Sequence, residues 1–163
     1  MPMMETLRMK HLTLALVAAT ACLAALPAAA QFQKPEDAIK YRQSAFTLIA
    51  AHFGRVAAMA QGKAPFDAKA AAENAALASS LSALPFTAFG AGTDKGMPNR
   101  AKAEIWSNAA DFKAKGETMQ MALAKFSDVA KTGSLDNIKA SVGDVGKSCK
   151  GCHDDFRAEK YSN

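Results

Sequence analysis

The chain contains 163 residues, and its 20 Lys and Arg against 15 Asp and Glu give a formal charge of +5 at pH 7. The basic residues are scattered among acidic ones, a distribution that argues against a nucleic-acid-binding surface. The length fits a single domain built around one hydrophobic core.

The N-terminus carries the pattern of a secretory signal. Basic residues precede an apolar run over 12–26, and small residues follow Pro27. This pattern predicts a cleaved signal peptide over 1–30 and export to the periplasm, with no membrane contact after cleavage. A lipoprotein anchor at Cys22 is the alternative, although Ala19 stands where such an anchor normally has Leu.

The remaining domain, 31–163, shows helical periodicity along most of its length. Apolar residues recur at the 3.6-residue spacing of an amphipathic helix, and no alternating strand pattern is convincing. Acidic residues beside Pro35 mark the start of the first helix, and Pro85 ends the second. The predicted helices span about 35–60, 67–84, 104–131 and 135–160.

The connection between the second and third helices is long, running from Pro85 to Ala103, whereas the other links are short. A loop of this length in a small domain usually has a function or spans a distance. Four helices with one long crossover predict an all-α fold, an antiparallel four-helix bundle. Gly116, within the third helix, is expected to weaken that helix locally.

A cofactor motif, Cys149-Lys150-Gly151-Cys152-His153, lies near the end of the fourth predicted helix. C-x-x-C-H is the attachment sequence for covalent haem, in which both thiols bond to the porphyrin and the imidazole ligates the iron. A zinc site would need a second group of Cys or His ligands, and a disulfide alone would leave His153 unexplained. The motif therefore predicts one haem c, bound through Cys149 and Cys152, with His153 as the metal ligand.

Further segments carry a family resemblance. They read Pro-Glu-Asp-Ala-Ile-Lys-Tyr-Arg-Gln at 35–43, Leu-Pro-Phe at 84–86, Phe-Gly at 89–90, Ile-Trp-Ser at 105–107 and Gly-Asp-Val-Gly at 143–146. Together with the haem motif, they make the chain resemble the class II c-type cytochromes known as cytochromes c′. Small monohaem cytochromes of the other common class carry the motif near the start of the chain, so its position near the end separates the two classes.

The resemblance implies a particular role for Phe46. In this family the residue four positions after the Arg of the Tyr-Arg-Gln segment faces the iron. Electron-transfer relatives have Met there, whereas cytochromes c′ have an apolar residue. A phenyl ring offers no lone pair, so the resemblance implies a five-coordinate, high-spin haem that binds NO and CO. The residue-level alternative is an ordinary core aromatic, and the two roles are compatible.

The resemblance also implies contacts at the edges of the haem. Arg42 and Gln43 correspond to contacts of the haem propionates, and Arg157 corresponds to a basic residue beside the ligand His153. From the residues alone, the alternative for Arg42 is a surface side chain with partners four residues away on its helix, and Arg157 is equally consistent with a solvated cation at the end of a helix. Trp106 is expected to pack within the bundle or against the haem edge.

Other side chains that ligate iron are present but are not expected to do so. Methionines at scattered helical and loop positions usually fill gaps in a core. His52 lies about 240° around the first helix from Phe46, so we expect it to be structural or surface-facing. The methionines considered as sixth ligands are Met59, Met97, Met119 and Met121.

The sequence therefore predicts a periplasmic haem protein that binds NO or CO and exchanges electrons with redox partner proteins. A six-coordinate electron shuttle with a Met ligand is the alternative function. An enzyme is not expected, because an apolar face at the iron lacks acid–base groups. The resemblance implies a homodimer, since many relatives dimerise.

Overall fold

The computed structural model describes residues 31–162, so the predicted signal peptide lies outside the described residues. The chain from Phe32 onward forms one compact unit. Its elements are α1 (Pro35–Ala60), α2 (Ala68–Leu81), a 3₁₀ helix (Leu84–Ala88), β1 (Asn99–Ala101), α3 (Glu104–Ser107), α4 (Ala109–Lys131), α5 (Leu135–Phe156) and β2 (Arg157–Ser162).

The four long helices pack in a square, in which α1 contacts α2 and α5, and α4 contacts α2 and α5. Neighbouring helices are antiparallel. Gly133, after α4, lies against Ala68 at the start of α2, whereas Gly116, early in α4, lies against Phe86, after α2. The predicted all-α bundle is confirmed, with the start of α1 and the end of α5 at the same end of the molecule.

Small side chains let α2 approach its neighbours closely. Its inward face consists of Ala71, Ala75 and Ala78, which are fully buried at helical spacing. Larger residues from the other helices fill the remaining space, so the packing alternates small and large side chains. The largest fully buried residues are Phe126, Ile39, Leu123, Ile138, Val56, Val145 and Pro85.

The second helix ends earlier than predicted. Asp67 caps it by accepting a hydrogen bond from the Ala70 amide at 3.0 Å, but the α-helix stops at Leu81 rather than Leu84. Because proline lacks an amide hydrogen and its ring obstructs the preceding turn, the chain ahead of Pro85 leaves the α-helical path. It continues as the 3₁₀ helix, which packs against α1.

The third predicted helix, 104–131, is interrupted. Asn108 leaves the helical conformation, with φ −123° and ψ 51°, and separates the single turn of α3 from α4. Asn side chains compete with helical hydrogen bonding and are common at such breaks. The prediction of one continuous helix is therefore wrong at this residue.

The fourth predicted helix is also too long, because α5 ends at Phe156 rather than near 160. The Phe156 ring is buried and packs 5.2 Å from Phe112, and its carbonyl accepts a hydrogen bond from the Lys102 amide. The residues that follow form β2, which pairs antiparallel with β1. This two-stranded sheet joins the crossover to the C-terminus, and periodicity gave no sign of it.

Within residues 31–162, no helix combines the length and the hydropathy needed to cross a bilayer.

Candidate functional site

A cavity of about 640 Å³ opens at the end of the bundle where α1 begins and α5 ends. Its volume lies in the range typical of cofactor pockets. Its wall includes every residue that the sequence analysis selected for the site: Arg42, Gln43, Phe46, Cys149, Cys152, His153 and Arg157. Residues more than a hundred positions apart in the chain are thus brought together around one space.

One side of the cavity, the motif wall, consists of Cys149, Cys152 and His153 on α5. Helical spacing places positions i, i+3 and i+4 on the same face, so all three side chains line the cavity. Both cysteines are free and half-buried. Desolvation raises the pKa of each thiol, so the thiols remain protonated at neutral pH.

The imidazole of the motif wall is held in its neutral form. Partial desolvation lowers the pKa of His153, and the positive charges of Arg157 and Arg100 lower it further. A neutral imidazole has the free nitrogen lone pair that a metal ligand needs. The surroundings therefore favour the protonation state that ligates iron.

Residues from outside α5 fasten the motif wall. Lys115 of α4 forms an ion pair with Asp155 and donates a hydrogen bond to the Gly151 carbonyl at 3.2 Å. The contact raises the pKa of Lys115 and lowers the pKa of Asp155, so both remain charged at neutral pH. The Lys102 ammonium donates to the Asp154 carbonyl at 2.9 Å.

The C-terminal strand closes the edge of the same wall. Arg100 of β1 donates from Nε to the Ala158 carbonyl at 2.6 Å, and its guanidinium lies 5.9 Å from the Tyr161 ring. Arg157, which begins β2, lines the cavity from extended backbone and not from a further turn of α5. The predicted helical placement of Arg157 is wrong, although its charge does reach His153.

A second side of the cavity, the aromatic wall, consists of Phe46, Phe89 and Phe112. The rings of Phe89 and Phe112 meet edge-on at 4.8 Å, and Phe46 lies 6.5 Å from Phe89. Phe86 contacts all three rings but does not line the cavity. Aromatic pairs at these separations attract each other modestly, so the wall is apolar and held without hydrogen bonds between its members.

Arg42 is a buried clamp for the crossover. Its guanidinium donates to the Ala88 carbonyl at 3.0 Å, to the Thr93 hydroxyl at 3.0 Å and to the Thr93 carbonyl at 2.8 Å. It also lies 4.3 Å from the centre of the Phe89 ring. Burial lowers the pKa of Arg42 to about 10, which leaves the side chain charged at neutral pH. The exposed alternative for this residue is wrong, and the propionate contact stays a prediction.

Gln43 and Trp106 also hold the crossover. The Gln43 side chain donates to the Pro98 carbonyl at 3.0 Å while lining the cavity. Trp106 donates from Nε1 to the Phe89 carbonyl at 3.0 Å, and its ring lies 6.3 Å from the Phe89 ring. Trp106 therefore packs within the bundle beside the aromatic wall.

The other possible iron ligands are distributed unevenly. Met119 is buried and lines the cavity, whereas Met59 packs in the core and Met121 is 66% exposed. His52 bonds through Nδ1 to the Asn74 side chain at 2.9 Å and so links α1 to α2. Among the described residues, no group of three or more His, Cys, Asp or Glu side chains forms a metal site.

Several residues that support the site were not selected from the sequence. Lys115, Thr93 and Phe112 act through partners far away in the chain, and no local pattern marks them. The one available signal was the set of aromatic residues in the crossover, which includes Phe86 and Phe89.

Comparisons with known proteins identify the family of the chain. A family model described as Cytochrome C′ matches residues 37–157. The cytochrome c′ of Rubrivivax gelatinosus is 65% identical over 127 residues, which are 78% of this chain and 98% of that protein. Its crystal structure matches with a TM-score of 0.75 and covers 78% of this chain and 99% of its own. A mutant of cytochrome c prime from Alcaligenes xylosoxidans, solved as its nitric oxide complex, is 51% identical with a TM-score of 0.74, covering 80% of this chain and 100% of its own.

Proposed function

Because the chain belongs to the cytochrome c′ family, which carries covalently attached haem c, we propose that it is a periplasmic monohaem cytochrome whose five-coordinate iron binds NO or CO and takes part in electron transfer. The observation that carries this proposal is Phe46, an apolar ring on the wall of the cavity that also contains the haem motif. The nitric oxide complex of the Alcaligenes relative supports the choice of ligand.

The residues of the cavity fit a covalent haem. Two free thiols and the imidazole of His153 lie on one face of α5, and the space before them is lined largely by apolar side chains. Haem, when bound, would supply a redox-active iron. In this proposal Cys149 and Cys152 fix the porphyrin and His153 ligates the metal.

The contacts that fasten α5 keep the proposed iron ligand, His153, in place. Lys115 holds the backbone at Gly151, and Lys102 holds it at Asp154, on either side of the Cys152-His153 pair. Partners outside the first ligands commonly fix the orientation of a metal-binding side chain. Arg157 and Arg100 favour the neutral imidazole by their charge.

The aromatic wall selects among ligands by its chemistry. Phe46, Phe89 and Phe112 offer no hydrogen-bond donor that could stabilise the partial negative charge of an O₂ ligand. Anions are disfavoured because a dry, apolar site does not replace their hydration. Neutral NO and CO carry neither penalty. The same lack of acid–base groups supports a binding and electron-transfer role and not catalysis.

The position of Met119 is the observation that supports the alternative function. It is buried at 5% exposure and lines the cavity, so it supplies the thioether that a six-coordinate electron shuttle requires. Met119 is also part of the hydrophobic core cluster with Leu123 and Phe126, which favours a packing role. We therefore prefer the five-coordinate site.

We further propose that the protein dimerises through α1 and α2. Leu48 on α1 is 48% exposed, and Leu77 on α2 is 46% exposed, although both are large aliphatic residues. The contact of His52 with Asn74 brings these two helix faces side by side. Leu77→Lys should then shift the sedimentation of the holoprotein from dimer to monomer. Leu84→Lys should not, because Leu84 lies in the 3₁₀ helix and not on α1 or α2.

The absorption spectrum of the purified ferrous holoprotein, recorded with and without CO, tests the main proposal. A high-spin spectrum that changes on adding CO is expected from an open coordination position. A low-spin spectrum that is indifferent to CO would mean that Met119 or another side chain occupies the position, and the electron-shuttle alternative would replace this proposal.

A further inference from the structure

The structure contains a second layer of residues behind Phe46. Phe46 lines the cavity, and the ring of Phe86 meets it edge-on at a centroid distance of 5.9 Å without lining the cavity itself. If Phe46 stands at the open coordination position, a bound ligand must displace its ring. The ring can only move into space that its neighbours leave free.

Phe86 is placed by its backbone and by a glycine. The 3₁₀ helix that carries it is held by Arg42, whose guanidinium donates to the Ala88 carbonyl. Its ring lies against Gly116 of α4, where a Cβ atom would come within 2.6 Å of the Phe86 ring. Any side chain at position 116 would therefore push Phe86 away from α4.

Because Phe112 is itself on α4, that displacement would be directed toward Phe46 of α1. Phe86 already contacts Phe46, Phe89 and Phe112 at centroid distances of 5.6 to 6.5 Å. The absence of a side chain at Gly116 thus gives Phe86 room, and Phe86 in turn limits the room behind Phe46. A glycine that weakens α4 as a helix is explained by this close approach.

We propose that Phe86 and Gly116 are positioning residues that set how readily Phe46 yields to a gaseous ligand, and so set the rate of ligand entry. The inference rests on the proposed function, because it requires Phe46 to stand at the open coordination position. It adds that the rate is controlled from the second layer, by residues that do not line the cavity.

Two substitutions with opposite expected effects test the inference. Phe86→Leu removes ring volume behind Phe46 and should raise the CO association rate of the ferrous holoprotein by about two- to tenfold, the range expected for losing one aromatic pair. Gly116→Ala takes space away and should lower that rate by a similar factor. Adding Phe86→Leu to Gly116→Ala should restore the rate.

Phe126→Leu is the matched control. Phe126 lies behind Phe53 at 5.6 Å, as Phe86 lies behind Phe46, and Phe53 lines the cavity two helical turns further along α1. This substitution should lower the melting temperature but leave the CO association rate unchanged. An equal rate increase in Phe126→Leu would show general loosening of the core and would overturn the inference.

The outcomes separate this inference from the proposed function. If Phe86→Leu binds CO at the rate of the parent protein, the role of the second layer is overturned but the proposed function is not. A parent protein that binds no CO overturns both. If Gly116→Ala fails to fold, the comparison of Phe86→Leu with Phe126→Leu decides.

Discussion

The two walls of the cavity are built on different physical principles. Directed bonds fasten the motif wall: Lys115 pairs with Asp155 and bonds to Gly151, and Lys102 bonds to Asp154. The aromatic wall is made of rings that touch each other at 4.8 to 6.5 Å with no hydrogen bond between them. The motif wall therefore has few alternative arrangements, whereas the rings of the aromatic wall can repack.

This difference suits the proposed function, in which the motif wall holds the iron and the aromatic wall admits a gaseous ligand. An iron ligand must keep its orientation, and hydrogen bonds from neighbouring elements provide that. A ring that yields to a ligand must not be bonded in place, and aromatic contacts cost little to rearrange. Substitutions in one wall at a time test this difference.

The largest expected effect comes from placing a side chain that can ligate iron in the aromatic wall. Phe46→Met places a thioether at the position where the phenyl ring stands, and the ferrous spectrum should change from high-spin to low-spin with weaker binding of CO. The physical reason is that a thioether sulfur donates to iron, whereas a phenyl ring does not. Absorption spectra with and without CO measure the change.

Phe53→Met is the control for that change. Phe53 lines the same cavity on the same helix, about 10 Å further along it. The spectrum of the Phe53→Met variant should therefore remain high-spin. If Phe46→Met also remained high-spin, Phe46 would not lie over the iron.

A smaller effect is expected from loosening the anchor of the aromatic wall. Thr93 is buried, accepts a hydrogen bond from Arg42, and donates one to the Gly90 carbonyl at 2.8 Å. Thr93→Val leaves these groups without their partner and should lower the free energy of unfolding by about 1–3 kcal/mol. Urea unfolding of the holoprotein measures the difference.

The matched change for Thr93 lies in the neighbouring 3₁₀ helix. Thr87 is exposed, and its hydroxyl bonds only within its own turn, to the Leu84 carbonyl. Thr87→Val should therefore alter the free energy of unfolding by less than about 0.5 kcal/mol. Equal losses in both variants would show that the Arg42 clamp contributes nothing beyond a local turn.

The smallest effect is expected at the fastening of the motif wall. Lys115→Met removes the ion pair with Asp155 and the bond to Gly151, and should lower the melting temperature modestly because the groups are partly exposed. The difference from the parent protein should shrink in 1 M salt, which screens the parent's ion pair. Thermal unfolding at low and high salt measures it.

Lys113→Met controls for the loss of a lysine from α4. Lys113 pairs with Glu117 within the same helix, and both side chains are largely exposed. It should leave the melting temperature nearly unchanged, since exposed pairs contribute little. A drop equal to that of Lys115→Met would mean that contact with α5 is unimportant.

The sequence was most informative where the physics is local. The haem motif is a short covalent pattern, and the helices follow from apolar periodicity and from breakers such as Pro85. The pattern therefore predicted both the bundle and the cofactor. It also predicted residues that do line one cavity, although their contacts with haem stay predictions.

The predictions from sequence were wrong where contacts with residues far away in the chain determine the structure. Nothing near Phe156 in the sequence ends a helix, and the end follows from burial of its ring against Phe112. The buried role of Arg42 depends on Thr93, 51 positions away. Gly116 reads as a weak point in a helix until Phe86 is placed against it. Such pairs have no signature in a single sequence.

The small sheet has a consequence for the order of assembly. The helical hairpins of the bundle join neighbouring parts of the chain, whereas β1 and β2 join Asn99 to Ser162. Contacts between distant residues form late, because closing the long loop between them costs entropy first. Since β2 begins four residues after His153, we expect this pairing to form after the helical hairpins and to fix the backbone that follows the haem motif only then.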